Sequence, residues 1–173
     1  IAESYGLLDV ARYWESVVQM NQYQKRRFVA NMISTMFNTV AGKKIAVFGF
    51  AFKADTGDTR ESPAIDVVRQ LIEERAQVVI TDPQALENAK LDLFDCLDKF
   101  ELTEDPYEAA RGAHAIAVCT EWQLYRQLDY AKIFDSMEKP AFIFDGRTLL
   151  DRQALFSIGF NVFTIGKPAL KHF

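Results

Sequence analysis

The chain has 173 residues and a formal net charge of −4, with 49% hydrophobic and 25% charged residues. This balance is typical of a globular domain, and the length is enough for one sizeable core. The acidic net charge, with no basic block beyond Lys25-Arg26-Arg27, argues against nucleic acid as a partner. No apolar run approaches the roughly 20 residues that a membrane-spanning helix needs.

The start of the chain and its cysteines bear on whether the chain is complete and on its cellular compartment. The sequence begins with Ile1 and not with Met, which suggests a processed product or a piece of a longer chain. It carries no pattern of a secretory signal peptide. The two cysteines, Cys96 and Cys119, form no CxxC motif, and two free thiols indicate a reducing compartment. We therefore expect a soluble, cytoplasmic domain.

The first forty residues predict one long helix. From Leu7 to Val40 there is no Gly or Pro, and apolar residues recur at helical spacing, with Gly42 placed as the C-terminal cap. A helix of about 33 residues is roughly 50 Å long, which exceeds what a small domain can cover. The first half of the helix should therefore contact another domain or subunit. The polar stretch from Asn21 to Arg27 is interpreted as a solvated turn.

After Gly42 the pattern alternates between strand and helix. The apolar runs KIAVFGF, QVVITDP, AIAVCT, PAFIFDG and NVFTIG predict strands. Helices are predicted after Ser62-Pro63, Asp105-Pro106 and Asp129, from Thr120-Glu121 through WQLYRQL, and in LLDRQALFSIG. The stretch from Gln84 to Phe100 is ambiguous. The alternation predicts an α/β fold: a Rossmann-like, open, mainly parallel sheet of five or six strands with helices on both faces, preceded by the long helix. We divide the chain into a helix at 1–41 and a domain at 42–173.

The stretch GFAFKADTGDTRES, Gly49 to Ser62, places five charged side chains directly after the first buried strand. One interpretation is an ordinary solvated loop. The other is a ligand site, because ligands of open α/β sheets lie outside the carboxyl ends of the strands. The residues alone leave these two interpretations evenly balanced. They also allow Arg60 and Glu61 to be no more than an ion pair at a helix start.

Several kinds of site are excluded because the sequence lacks the motifs that they require. No G-x-G-x-x-G follows the first strand, no Walker A sequence is present, and Thr120-Glu121-Trp122 does not suit a phospho-receiver domain. His114 and His172 are solitary, so no metal-ligand spacing exists, and His114 is interpreted as a structural histidine. Cys119 lies within an apolar strand and is interpreted as an inert thiol. The residues themselves predict a ligand-binding edge without catalytic machinery.

Four stretches carry a resemblance to a known family: NTVAGKKIAVFGFAFKADTGDTRESPAI, TDPQA, EDPYEAARGAHAIAVCTEW and KPAFIFDGR. They closely resemble the C-terminal part of the UDP-glucose/GDP-mannose dehydrogenase family, and CTEW and FIFDGR favour its UDP-glucose branch. The preceding DVARYWESVVQMNQYQKRRF resembles the long central helix of these enzymes. The resemblance covers nearly the whole chain and is weakest between Leu86 and Leu102. Ala54 and Pro63 depart from the family pattern.

The resemblance implies an activity and roles for particular residues. Enzymes of the UDP-glucose branch oxidise UDP-glucose to UDP-glucuronate with two NAD. Phe52, Lys53 and Arg147 match family positions that contact the UDP-sugar, and Arg60 matches a contact to NAD. Asp55, Asp58 and Glu61 are expected to orient these cations. The resemblance also implies a homo-oligomer, a dimer or a hexamer, and the apolar stripe of the long helix predicts that this helix forms the contact.

The resemblance further implies that this chain is a fragment. The catalytic cysteine of the family, in a GSC motif, and its N-terminal NAD-binding domain lie outside these 173 residues. The expected function is therefore that of an inactive UDP-binding part of the enzyme. The alternative that stays open is a non-enzymatic nucleotide-binding or assembly module of the same fold.

Overall fold

A computed structural model describes all 173 residues, from Ile1 to Phe173. Its centre is one sheet of six parallel strands in the order β3-β2-β1-β4-β5-β6. The strands are β1 (Lys44–Phe48), β2 (Gln77–Thr81), β3 (Phe100–Leu102), β4 (Ala115–Val118), β5 (Phe142–Asp145) and β6 (Asn161–Thr164). The predicted α/β class and Rossmann-like sheet are confirmed.

Six α-helices accompany the sheet, and most begin at a side-chain cap. They are α1 (Leu8–Thr35), α2 (Pro63–Glu73), α3 (Leu86–Asp92), α4 (Pro106–Ala110), α5 (Tyr130–Ser136) and α6 (Arg152–Ile158). The side chains of Ser62, Asp105 and Asp129 accept hydrogen bonds from the first turns of α2, α4 and α5, as the sequence predicts. No helix in the structure is both long enough and apolar enough to cross a bilayer.

The strand order reverses between β1 and β4. The chain moves outward from β1 to β3, returns through α4, and then moves outward in the opposite direction from β4 to β6. Because crossovers between parallel strands are right-handed, the helices of the two halves cover opposite faces of the sheet. The carboxyl ends of all six strands lie along one edge, with a crevice where the order reverses.

Helix α1 ends five residues before the predicted end. It stops at Thr35, and Phe37 and Asn38 adopt left-handed conformations with φ of 65° and 60°. Gly42 therefore does not cap the helix and lies in the turn that enters β1. The Nζ of Lys43 donates to the carbonyl oxygens of Met36 and Thr39, which satisfies carbonyl groups at the helix end. The helical spacing of apolar residues does not reveal this local turn, so the predicted end of the helix was too late.

Two other stretches differ from their predictions. The ambiguous segment contains α3, a 3-10 helix at Phe94–Lys99 and the edge strand β3, which is the sixth strand. The helix predicted from Thr120-Glu121 is only a 3-10 helix, Gln123–Arg126. Trp122 stays extended because its ring is buried in the core and its indole N–H is hydrogen-bonded there.

The core is built from the strands and from one face of each helix, and α1 contributes little to it. Of the 28 residues of α1, only Val29 and Met32 are buried. The first half of the helix leaves Tyr13 and Trp14 64% and 62% exposed. The helix is about 42 Å long at 1.5 Å per residue, and only its second half packs on the domain.

Candidate functional site at the carboxyl edge of the sheet

The charged loop Gly49–Ser62 begins at the reversal of the strand order. Gly49 follows β1 with φ of 92°, and a Cβ atom there would lie 2.4 Å from the Cβ of Thr120, the second residue after β4. Such a distance is shorter than any van der Waals contact, so only glycine allows the two strand ends to approach this closely. The loop therefore leaves the sheet at the crevice where ligands of this fold class bind.

The next two residues of the loop are held by buried hydroxyl groups. The Oγ of Ser62 donates to the carbonyl oxygen of Phe50 at 2.7 Å, and the Oγ1 of Thr120 donates to that of Ala51 at 2.6 Å. Phe50, Ala51, Ser62 and Thr120 are all buried. The loop thus has a rigid base, and its tip extends into solvent.

Phe52 and Lys53, the residues expected to contact a UDP-sugar, lie directly beyond this base. Phe52 is 46% exposed, and its backbone N–H donates to the carbonyl oxygen of Asp58 at 2.8 Å. Lys53 is exposed and belongs to none of the ion pairs in the structure. An exposed aromatic ring and an unpaired ammonium group are therefore adjacent at the ligand edge, and their role stays a prediction.

Arg60 is paired with Asp58 and not with Glu61. The guanidinium donates from Nε to both carboxylate oxygens and from NH2 to Oδ2 at 2.6 Å. The ion pair of Arg60 with Glu61 that the sequence allowed is therefore wrong, because the partner is Asp58. These hydrogen bonds lower the pKa of Asp58 to about 2. Asp58 stays ionised at neutral pH and orients Arg60, whose side chain is 88% exposed and keeps NH1 available for a second acceptor.

Of the three acidic residues expected to orient the cations, only Asp58 does so. Asp55 and Glu61 form no ion pair, and both adopt left-handed backbone conformations, with φ of 62° and 61°. In this structure Asp55 and Glu61 therefore shape the backbone of the loop and do not orient its cations. Such conformations are uncommon for residues other than glycine, Asn and Asp, and sequence patterns do not reveal them.

Arg147 reaches the same edge from β5 and is held by a partner that the sequence did not identify. Its guanidinium is hydrogen-bonded to the carboxylate of Glu121, which follows β4. The backbone N–H of Arg147 donates to Oδ1 of the buried Asp145 at 2.9 Å, which fixes the start of its loop. Both members of the Arg147–Glu121 pair are about one-third exposed. The pair therefore faces solvent beside the crevice.

A small cavity lies in this crevice, between α1, α2 and the carboxyl ends of β4 and β5. Its volume is about 130 Å³, and its lining surface is mostly apolar, with Phe28 and Val67 among the lining residues together with Lys25 and Arg147. A cavity of about 590 Å³ lies at the opposite edge, beside the amino ends of β1 and β2. Of these two cavities, only the smaller lies at the carboxyl edge, where ligands of this fold class bind.

The remaining sequence interpretations concern His114 and the cysteines. The Nδ1 atom of His114 accepts the backbone N–H of Lys44 at 3.2 Å, which is a structural hydrogen bond. Burial raises the pKa of the Cys119 thiol to about 12, and burial likewise raises the pKa of Cys96. Neither thiol has the lowered pKa of a catalytic nucleophile. No group of three or more His, Cys, Asp or Glu side chains is arranged to hold a metal ion.

The strand order, the crevice at its reversal and the charged loops around it define a doubly wound domain of the nucleotide-binding class. Residues 46–152 match the model of the UDP-glucose/GDP-mannose dehydrogenase family, UDP binding domain. This match covers more than half of the chain, and the chain belongs to the UDP-glucose/GDP-mannose dehydrogenase family.

Curated relatives and solved structures extend this similarity along the chain. It is 50% identical over 188 residues to UDP-glucose 6-dehydrogenase 2 of Oryza sativa subsp. japonica, and 48% identical over 186 residues to UDP-glucose 6-dehydrogenase 4 of Arabidopsis thaliana. Each alignment covers 97% of this chain and 39% of the relative. A UDP-glucose dehydrogenase structure from Pyrobaculum islandicum is similar with a TM-score of 0.73 and 27% identity, over 94% of this chain and 33% of that one. The chain spans about two-fifths of the length of the curated relatives that it matches.

Proposed function

We propose that this chain is the UDP-binding part of a UDP-glucose 6-dehydrogenase, a longer enzyme that oxidises UDP-glucose to UDP-glucuronate with two NAD. The observation that carries the proposal is the position of the loop Gly49–Ser62 at the reversal of the strand order. It occurs in a chain that is half identical to UDP-glucose 6-dehydrogenases along nearly its whole length.

In this proposal the cations of the site divide between two ligands. Lys53 and Arg147 contact the UDP-sugar, with Phe52 providing an apolar surface beside them. Ammonium and guanidinium groups suit a diphosphate because charge-assisted hydrogen bonds to phosphate are short and strong. Arg60 contacts NAD that is bound by a domain outside this chain. The exposure of Arg60 and its unused NH1 group support a contact to a neighbouring domain.

The chain by itself is expected to have no dehydrogenase activity. Oxidation of the intermediate aldehyde needs a nucleophile with a usable pKa. Both thiols of this chain are buried, and their pKa values are raised. Purified chain mixed with UDP-glucose and NAD should form NADH only at the background rate, and turnover would contradict the proposed division of the enzyme.

A longer polypeptide that includes the preceding sequence is the matched comparison. We expect it to form NADH from UDP-glucose while the 173-residue chain does not. If the longer polypeptide binds UDP in calorimetry but forms no NADH, the protein is instead a non-enzymatic nucleotide-binding module. That result would exclude the dehydrogenase function and keep the nucleotide site.

The first half of α1 is expected to form the contact between two copies of the chain. Val10, Tyr13, Trp14 and Val18 are all exposed, although burying large apolar side chains of this size stabilises an interface by roughly 1.5–3 kcal/mol each. We expect a two-fold dimer at micromolar concentration in light scattering. Trp14→Arg combined with Val18→Arg should give monomers.

The control for this dimer is Gln19→Arg, which adds a charge at an exposed polar position of the same helix. It should leave the dimer intact. A wild-type chain that stays monomeric at high micromolar concentration would contradict the proposed contact. Equal dissociation of the control and the double variant would assign the effect to charge and not to the apolar face.

A further inference from the structure

The carboxylate of Asp82 lies buried at the carboxyl end of β2, where five N–H groups converge on it. Asp82 is 1% exposed. Its Oδ2 accepts from the backbone N–H groups of Phe50 at 2.7 Å and Ala51 at 3.0 Å, and from the indole Nε1 of Trp122 at 3.0 Å. Its Oδ1 accepts from the backbone N–H groups of Gln84 and Ala85, each at 2.8 Å.

These donors belong to three different loops of the carboxyl edge. Phe50 and Ala51 follow β1, Gln84 and Ala85 follow β2, and Trp122 follows β4. No Lys, Arg or His forms an ion pair with Asp82, so N–H groups alone satisfy the buried carboxylate. A buried carboxylate is costly unless such donors surround it. Its loss would leave buried N–H groups of three loops without an acceptor.

The hydrogen bonds of Asp82 complete the base of the charged loop. The carbonyl groups of Phe50 and Ala51 accept from Ser62 and Thr120, and their N–H groups donate to Asp82. Every backbone polar group of these two residues is therefore hydrogen-bonded to a buried side chain. Phe52 and Lys53 come next in the chain, and Lys53 has no ion pair of its own that would fix its position.

The same carboxylate also acts on the other side of the crevice. It accepts from the indole of Trp122, and the neighbouring residue, Glu121, holds the guanidinium of Arg147. One buried group thus determines where the loops carrying Lys53 and the partner of Arg147 leave the sheet. Arg60 depends on it less, because Asp58 and the buried residues Thr59 and Ser62 hold that end of the loop.

We propose that Asp82 is a positioning residue for the UDP-sugar site, which it controls through the backbone of Phe50-Ala51 and the indole of Trp122. The inference rests on the proposed function for the identity of the ligand. The support that Asp82 gives to the loop does not depend on the proposed function. Asp82 touches neither substrate nor cofactor in this assignment, and its effect on binding passes through Lys53 and Arg147.

The first experiment measures backbone hydrogen exchange in the 173-residue chain. Asp82→Asn keeps the size of the side chain but leaves a single acceptor oxygen for five donors. Exchange at Phe50 and Ala51 should accelerate roughly 10-fold or more relative to amides of α6, because those N–H groups lose a charge-assisted hydrogen bond. Unchanged exchange at both residues would overturn the proposal.

The second experiment measures the Michaelis constants in the longer dehydrogenase. Asp82→Asn should raise the KM for UDP-glucose about 10-fold and change the KM for NAD less than about 2-fold. Trp122→Phe removes only the indole donor and should shift the same constant in the same direction by a smaller factor. It also serves as the second variant if Asp82→Asn folds poorly.

Leu155→Ala in α6 is the control variant that lowers the stability of the fold without displacing the loop that carries Lys53. Leu155 is buried away from the crevice, so this variant should lower Tm without altering either KM. If it raises the KM for UDP-glucose as much as Asp82→Asn does, Asp82 acts only on stability and the proposal is wrong.

A double-mutant cycle identifies the route of the effect. If Asp82 acts by placing Lys53, Asp82→Asn should cost less in the background of Lys53→Ala than in the wild type. Fully additive changes would overturn the route through Lys53. If the wild-type enzyme binds no UDP-glucose while exchange at Phe50 and Ala51 still responds, the proposed function is wrong and the support of the loop by Asp82 is retained.

Discussion

In the longer dehydrogenase that we propose, Lys53→Ala should raise the KM for UDP-glucose while leaving the KM for NAD nearly unchanged, and Arg60→Ala should do the reverse. Each substitution removes one charge-assisted contact, which typically costs about 1.5–3 kcal/mol or roughly 10- to 150-fold in binding. Lys53 lies next to the rigid base of the loop at the end of β1, whereas Arg60 is oriented outward by Asp58. Steady-state kinetics with each substrate varied in turn measures both constants.

Lys90→Ala is the matched control for this pair of variants. Lys90 is an exposed lysine in α3, so the variant removes the same charge away from the crevice and should change neither constant. If the loop were merely solvated, Lys53→Ala and Arg60→Ala would behave like the control, with stability changes below about 0.5 kcal/mol. If both weakened both ligands equally, the division between the two cations would be wrong, although the loop would still bind ligands.

Gly49→Ala should strongly destabilise the fold. The backbone there has φ of 92°, and the added Cβ would lie 2.4 Å from the Cβ of Thr120. The conformational cost is about 1–2 kcal/mol and the overlap adds about 1–3 kcal/mol. The total is about 2–5 kcal/mol, and at about 2–4 °C per kcal/mol for a chain of this size Tm should fall by roughly 4–20 °C.

Gly112→Ala is the control that separates the cost of the steric clash at Gly49 from the cost of a positive φ. Gly112 also has a positive φ, of 66°, but no atom lies within 4 Å of the position of its Cβ. It should therefore lose only the conformational part, about 1–2 kcal/mol, in the same thermal unfolding measurement. Equal losses for the two variants would mean that β1 and β4 can separate at the crevice without cost.

Local sequence patterns were sufficient for most of the fold. The continuous apolar runs of β1, β4 and β5 predicted buried parallel strands, and their burial confirms it. Ser62-Pro63 and Asp105-Pro106 predicted two helix starts because a capping side chain and a proline act within one turn. The resemblance of the loop Gly49–Ser62 to the dehydrogenase family was likewise visible from neighbouring residues, and the family is confirmed.

Other features depend on residues that are distant in sequence. Three residues are enough to form β3 only because β2 supplies its hydrogen-bonding partner. Trp122 does not begin a helix because its indole reaches Asp82, 40 residues earlier. Arg147 and Glu121 are 26 residues apart and meet because β4 and β5 end side by side. No local pattern encodes these pairings.

The sequence by itself determined most of the strands and helices, that a charged loop leaves the first strand, and which family the chain belongs to. The tertiary structure decided how that loop is held. Asp82, Thr120 and Ser62 each read as ordinary polar residues near element ends, and only the parallel sheet brings them around Phe50-Ala51. Propensity and periodicity act over a few residues, whereas a buried hydrogen-bonding group takes its partners from whichever strand ends the topology places beside it.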